Sequence, residues 1–405
     1  MPTFSMRTSF WVAGVVVALA LWTSACPTMA NPLYQSEWGL STTMITWVFA
    51  AYPLVLVPVL ILFGDVSDHI GRRSSMALGL LAELVGVLQF VLANDVGWLI
   101  VGRAFMGLGV GLSLSPANVA MVEFSAPGNE GRASAVATGV SSVGIALAML
   151  IGGVLTEYAP FPLRLQFIVL AVAIVVGLVL IWGLPSHTRG ETAERWRIRA
   201  IIIPHGSRGI FLAGAVAVSS SFLLGAIVLP LGARIAQQLA GSTNALVTGT
   251  LLSVFAIFIA LTSVCARRLG EWALVLMGAA GSIAAVWLYV VTGTFHSLML
   301  FFLGSMAAGA AYAFNFAGGL TILSRYAAPH HRASVVSGGY LVGYVVQGAG
   351  APLVGWMVTR KGLMNGLVDA AAMFSLFFVF VIVCAIAASV AVRRTARSEE
   401  RLAAS

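Results

Sequence analysis

Glu83 and Arg103 are full charges set well inside apolar stretches, and they define the sharpest chemistry this sequence could do. A carboxyl group among apolar neighbours can gain and lose a proton as its surroundings open and close, which makes Glu83 a candidate proton carrier. An arginine at such depth needs a partner, a water-filled cavity or a route for its tip to the surface. On neighbouring antiparallel helices the two residues would differ in depth by roughly 6 Å at about 1.5 Å per residue, within reach of two long side chains, so an ion pair is expected. Glu123, Glu157 and Asp369 lie nearer the ends of apolar runs.

A second set is neutral: Asn118, Ser220 within Ser219–Ser221, Tyr312, Asn315, Tyr340, Tyr344 and Gln347. Tyr340, Tyr344 and Gln347 recur at helical spacing and share one face. Aromatic and uncharged polar groups together suit an amphipathic organic solute better than an inorganic ion. The same residues could instead hydrogen-bond helices to one another, and both readings stay open.

Catalytic and cofactor chemistry finds no footing. His330 and His331 sit beside Arg332 without a neighbouring acidic or cysteine ligand, so they read as a solvated loop and no metal is expected. No glycine loop ending in lysine is present to cradle a nucleoside triphosphate. Cys26, Cys265 and Cys384 lack paired spacing and read as packing residues. The expectation is a protein that is not an enzyme and needs no cofactor.

The elements that must hold these residues follow from composition. The 405 residues are 60% hydrophobic and 9% charged, with a mean hydropathy of +0.98, which excludes a water-soluble domain. Apolar runs predict twelve spans near residues 10–34, 41–63, 74–93, 97–120, 133–156, 163–184, 209–233, 244–265, 272–294, 297–323, 333–358 and 366–392. Arg7 and Ser24-Ala25-Cys26 superficially resemble a secretory signal, but the apolar run continues through Pro27 and Met29 toward Tyr34, so it is read as the first span. Residues 186–208 are the one long polar stretch and divide the chain into an expected six-helix bundle at 1–185 and a second at 209–405 with a short tail. A net charge of +8 does not call for nucleic acid here, because the basic residues occupy short loops. With the N-terminus placed in the cytoplasm, seventeen of the 22 Lys and Arg residues fall on that side and four (Arg164, Arg234, Arg360, Lys361) on the other, so both termini are expected inside.

The halves look duplicated. Arg132-Ala133-Ser134 recurs as Arg332-Ala333-Ser334, Val136 as Val336 and Gly139 as Gly339, each copy opening an outward-going span.

Gly64-Asp65-Val66-Ser67-Asp68-His69-Ile70-Gly71-Arg72-Arg73 follows the second span, and its spacing of Gly64, Asp68, Gly71, Arg72 and Arg73 resembles the signature loop of the major facilitator superfamily. His69 stands where the family usually has arginine, and Val66 where leucine is common. Leu99, Arg103, Gly107, Gly109 and Gly111 resemble the family's fourth-span pattern of an arginine followed by glycines. Gly144, Ala148, Met149, Gly152 and Gly153 form a degenerate version of the fifth-span antiporter pattern, with Met149 at the proline position. Simple close packing of helices accounts for most of those small residues. Pro32-Leu33-Tyr34, Trp38-Gly39-Leu40-Ser41 and Ala51-Tyr52 are similar to the start of bacterial members.

The resemblance implies an all-α membrane protein of twelve transmembrane helices in two pseudo-symmetric six-helix bundles. It implies a monomeric transporter in the bacterial inner membrane with a small-molecule substrate, membrane lipids around it and protons as coupling partner. The loop would work as a conformational latch, with Asp68 accepting from a helix N-terminus across the halves while Arg72 and Arg73 meet headgroups or acidic partners. Export of an amphipathic solute leads; uptake of a polar metabolite, and a non-transporting membrane sensor of the same fold, remain open.

Overall fold

Long apolar runs broken by glycine, proline and charged turns become helices, because a helix satisfies every backbone group within its own segment and without water. The structure is a computed structural model that describes residues 4–63, 66–126, 128, 130–185, 208–327 and 331–403. The first span is Met6–Ala25, tightens to a 3-10 turn at Cys26–Met29 and continues as Asn31–Trp38. The second is Thr42–Phe63, followed by a short helix Val66–Ile70; the third to sixth are Arg72–Leu92, Val96–Glu123, Glu130–Tyr158 and Leu165–Ile181. The seventh to twelfth are Arg208–Gln238, Ala245–Ala266, Glu271–Phe295, Leu298–Arg325, Arg332–Lys361 and Leu363–Ala403. Eleven are long and apolar enough to cross a membrane. The sixth, at 17 residues, lies at the short limit of the crossing length and completes the twelve.

Turn chemistry ends the helices. Gly39 and Gly362 take φ of +65° and +81°, which side chains resist, at the hairpins after the first and eleventh spans. Asp95 caps the fourth span by accepting from the Gly97 and Trp98 amides at 2.7 and 3.3 Å.

Packing repeats between the halves. The first span lies against the fourth, fifth and sixth, the second against the fourth, and the third against the fourth and sixth. The seventh, eighth and ninth spans make the same set of contacts with the tenth, eleventh and twelfth. This gives two pseudo-symmetric bundles, joined where the second span meets the eleventh and the fifth meets the eighth. The sixth and twelfth spans turn apolar faces outward, with Val179 67% and Leu376 74% exposed. Such faces need lipid as their solvent. Of the polar stretch 186–208 expected to divide the chain, residues 186–207 lie outside the described residues and Arg208 opens the seventh span.

Candidate functional site

The contacts that join the halves gather at the end of the molecule carrying the turns after the first, fifth, seventh and eleventh spans. There Thr43 donates its backbone amide to Thr359 Oγ1 at 3.0 Å, and the two hydroxyls meet at 2.9 Å. The Asn31 amide donates to the Pro230 carbonyl at 3.2 Å, and Arg234 donates to Thr42. The Glu157 carboxylate accepts from the Ala245 amide at 2.6 Å and so caps the eighth span from the opposite bundle. Gly153 and Gly249 bring the fifth and eighth spans together: a Cβ on Gly153 would lie 2.8 Å from the Ala245 carbonyl. Between the second and eleventh spans the contacts reach inward as far as Gly348, whose added Cβ would lie 3.0 Å from Leu54.

Beyond Gly348, toward the end that carries the linker, the face of the eleventh span changes character. Gln347 is next, then Tyr344 and Tyr340, and they join Phe222, Tyr312 and Phe316 in an aromatic wall. Phe222 stacks on Tyr344 at 4.5 Å and Tyr312 on Phe316 at 5.9 Å, while Tyr340 meets the edge of Phe316 at 5.8 Å. Tyr312, Tyr340 and Tyr344 are half-buried. Among the described residues their hydroxyls have no protein partner, and none is buried from solvent. They therefore border open space. Tyr52 of the second span is buried against Gly107 of the fourth.

Other expected cavity residues are placed elsewhere. Asn315 is fully buried and donates to Ser282 at 3.0 Å, in the seam between the ninth and tenth spans. Ser220 is buried and returns its hydroxyl to the Val216 carbonyl of its own helix at 3.0 Å. Asn118 is half-buried and donates to Leu114 at 3.0 Å. Gln347 is 6% exposed beside Gly225.

Glu83 and Arg103 do not pair. The Glu83 carboxyl is fully buried and accepts from Thr23 at 3.0 Å and from Ser113 at 2.7 Å, which ties the first, third and fourth spans together. Arg103 is 1% exposed and donates to the Ser24 carbonyl at 2.8 Å and, at the long limit of 3.5 Å, to that of Phe49. Its guanidinium lies 4.8 Å from the Tyr52 ring centre and 5.5 Å from that of Phe49. Its Nε has no partner, and a cavity of about 10 Å³, the size of one water, opens beside it between Ser24, Asn31 and Leu229. The expected ion pair is corrected by orientation: the two side chains leave adjacent helices in different directions. Snorkelling is excluded as well.

In the loop after the second span, Gly64 lies outside the described residues. Asp68 is exposed on the short helix, and among the described residues it takes no part in the contacts between halves. Gly71 takes φ +83° to start the third span. Arg72 pairs with Glu123 at the end of the fourth span, and Arg73 donates to the Leu184 carbonyl at 3.3 Å and lies 4.9 Å over Trp182. The two arginines thus bind the loop to its own bundle. The packing glycines act by close approach. A Cβ on Gly107 would strike the Tyr52 carbonyl, one on Gly111 would lie 2.6 Å from Val59 and one on Gly109 2.5 Å from Glu83. Gly144 meets the Ala18 carbonyl, and Gly152 would come within 2.9 Å of Met29.

The Major Facilitator Superfamily profile matches residues 10–301. This chain belongs to the major facilitator superfamily. A puromycin resistance protein of Streptomyces alboniger is 36% identical over 154 residues, which are 37% of this chain and 30% of that protein. The MFS-type transporter EfpA of Mycobacterium tuberculosis is 28% identical over 205 residues, 49% of this chain and 37% of its own. The matched segments therefore span about a third of these relatives' length. In fold, the chain is similar to the solved nucleoside transporter NupG, with a TM-score of 0.71 at 15% identity over 94% of this chain and 97% of that one. It is similar also to a bacterial homologue of the human lysosomal transporter Spinster, at a TM-score of 0.70 and 16% identity over 95% and 97%.

For this major facilitator protein the sequence assigned no site role to Phe222, Phe316, Thr23 or Ser113, and marked Tyr52 only within a stretch similar to bacterial members. Phe316 was within reach of sequence: it stands one helical turn after Tyr312, as Tyr344 does after Tyr340. Thr23 and Ser113 carry no such signal, since a hydroxyl in a span is common glue.

Proposed function

We propose that this protein is a secondary transporter that exports a small amphipathic organic solute across the bacterial inner membrane by alternating access, with proton antiport as the exchange that drives it. One observation carries the reading: the halves are clasped at one end, while toward the other their facing surfaces give way to half-exposed tyrosines with free hydroxyls. The skew of arginine toward the linker side supports placing that side in the cytoplasm, both termini included. On that placement the clasp is the periplasmic gate and the aromatic wall receives solute from inside. Residues 1–185 and 209–405 move as two bodies on the 186–208 linker, in a monomer surrounded by lipid. The puromycin resistance relative supports export over uptake. Glu83 remains the coupling candidate, and Arg103 is better accounted for by packing.

The test is transport into inverted vesicles or proteoliposomes holding purified protein, with puromycin first in a panel of drugs and metabolites. An imposed proton gradient should drive accumulation that an ionophore collapses. Asp68→Asn, at equal insertion, should slow transport, because the loop is expected to latch the opposite end when the present clasp opens. No solute moved, with or without a gradient, rejects the transporter; movement indifferent to the gradient rejects the antiport.

A further inference from the structure

The third and sixth spans touch along their inner edges and part along their outer ones. Phe90 packs on Phe167 at 4.7 Å between ring centres, and a Cβ on Gly177 would lie 3.3 Å from Leu80. On the side away from the bundle, Leu88, Val91, Ile168, Val172 and Val176 flank a groove of about 350 Å³ whose lining side chains are all aliphatic. Leu88, Ile168, Val172 and Val176 are exposed there, so the groove opens toward lipid. It begins beside the turns at the clasp end and runs from Val91 to Leu84, roughly 10 Å at about 1.5 Å per residue. That depth lies within one leaflet of a hydrocarbon core about 30 Å thick.

At the mouth stands a cation without a carboxylate. Arg164 is exposed, one turn before Ile168, whose amide donates to the Arg164 carbonyl at 3.0 Å. Among the described residues no acidic group pairs with it. The duplicated half gives the contrast: ahead of the twelfth span Lys361 pairs with Asp369 and Arg360 lies over Trp356, so both cations are engaged. Phe161 opens the sixth span by accepting from the Arg164 and Leu165 amides at 2.9 and 3.0 Å. It does so at φ +56°, a conformation that bulky side chains resist, and its ring is 75% exposed. The turn into the twelfth span spends a glycine on the same left-handed region, Gly362 at +81°. An exposed ring kept under strain, with Tyr158 exposed nearby in sequence, suits the depth of lipid headgroups. The sixth span has 17 residues against 21 in the third, which brings Arg164 toward the hydrocarbon boundary.

We propose that the groove and Arg164 together hold one anionic phospholipid, with an acyl chain between the third and sixth spans and the headgroup phosphate on the guanidinium. Both ends fit: the aliphatic walls take the chain, and the planar guanidinium fork matches two phosphate oxygens. A net negative headgroup is favoured over a choline one, because the quaternary ammonium offers nothing to an arginine that lacks a counter-charge. Such a lipid is selected by headgroup and position, unlike the lipid that merely solvates the other outer faces. The orientation proposed above makes it a lipid of the outer leaflet; the site itself does not depend on what the protein transports.

Phosphatidylglycerol and phosphatidylcholine carrying the same diazirine-bearing acyl chain test it. Each is added as a minor component to phosphatidylethanolamine proteoliposomes holding the full chain, photolysed, and its adducts are mapped by peptide mass spectrometry. Phosphatidylglycerol adducts on 84–91 and 168–176 should exceed phosphatidylcholine adducts there, and adducts on the matching outer face of the ninth and twelfth spans, by about five-fold. Arg164→Gln should lower that labelling by about five-fold and Arg164→Lys should keep most of it. Val172→Trp, which fills the groove from the lipid side, should exclude both lipids. Gel filtration and melting temperature confirm that each variant is folded. Equal labelling by the two headgroups overturns the proposal, as does labelling no stronger than at the ninth and twelfth spans, or labelling unmoved by Arg164→Gln. Disulfide dimers formed through Val172→Cys, on a background lacking the native cysteines, would give the groove to a second copy and overturn it as well.

Discussion

Arg103 is the bulkiest fully buried side chain among the described residues, and two prolines explain why a guanidinium belongs there. Pro53 has no amide hydrogen to offer the Phe49 carbonyl one turn earlier, and Pro27 coincides with the change of winding next to the Ser24 carbonyl. Arg103 donates to both of those carbonyls. A buried carbonyl left without a donor costs about 1–3 kcal/mol. Arg103→Met should therefore lower the stability of the purified protein by about 2 kcal/mol, and Pro53→Ala, which returns an amide to Phe49, should offset about 1 kcal/mol of that loss. Simple addition of the two effects in thermal or denaturant unfolding would refute the capping role. Glu83 is a different case, and the duplicated half supplies the control. Gly79 packs on Ser113 with Glu83 one turn on; Gly278 packs on Asn315 with Ser282 one turn on. The second bundle seals that seam with an uncharged pair, so packing alone does not demand a carboxyl group. Glu83→Gln, whose amide can still both donate and accept, should keep stability within about 1 kcal/mol. Combined with Arg103→Gln its effect should be additive within about 0.5 kcal/mol, since the two residues belong to separate networks. A larger coupling energy would restore the ion pair.

The helices approach one another through glycines, and the fifth span holds a matched pair that isolates this effect. A Cβ on Gly144 would run into the Ala18 carbonyl of the first span, whereas one on Gly139 meets nothing within 4 Å. Both changes to alanine gain helix propensity of roughly 1 kcal/mol. Gly144→Ala should nonetheless lower the melting temperature and the folded yield, while Gly139→Ala should leave both unchanged or slightly raised; equal effects would show that close approach is not what Gly144 provides. At this scale most of the architecture was legible, because a run of twenty apolar residues has few other uses. The turn at Cys26–Met29 was hinted at only by Pro27. The azimuth of charged residues was the real omission, and it too was encoded. Arg103, Gly107 and Gly111 recur every fourth residue, and the glycines of that stripe pack on Tyr52 and Val59 of the second span. Gly109 and Ser113 form the other stripe, against the third span. Depth said that Glu83 and Arg103 were near; the two stripes say that they face apart. The bundles also differ in a way that spacing alone did not reveal. Arg72 pairs with Glu123 between the third and fourth spans, and the reversed pair, Glu271 with Arg325 at 3.1 Å, closes the ninth against the tenth.

For the molecule as a whole, the clasp between the bundles is built from contacts that can be released at small cost. Among the described residues, a hydroxyl pair, a guanidinium on a threonine and a carboxylate on a helix N-terminus all have water as a ready alternative partner. Glycine crossings let the backbones touch without interlocking side chains. If alternating access is the mechanism, this end must open while the opposite end closes, and holding it shut must halt turnover without harming the fold. Thr43 and Thr359 offer the means, since their hydroxyl oxygens lie 2.9 Å apart at an exposed site. In a variant with Cys26, Cys265 and Cys384 replaced, Thr43→Cys with Thr359→Cys should form a disulfide under copper phenanthroline, because the two side chains already touch at their tips. Oxidation should stop transport, and dithiothreitol should restore it. Each single cysteine variant should be indifferent to both reagents. Binding of solute from the open side should survive oxidation, because the aromatic wall lies beyond the clasp. Cross-linked protein that transports at the reduced rate would mean that this end never opens, and the two-body mechanism would have to be abandoned.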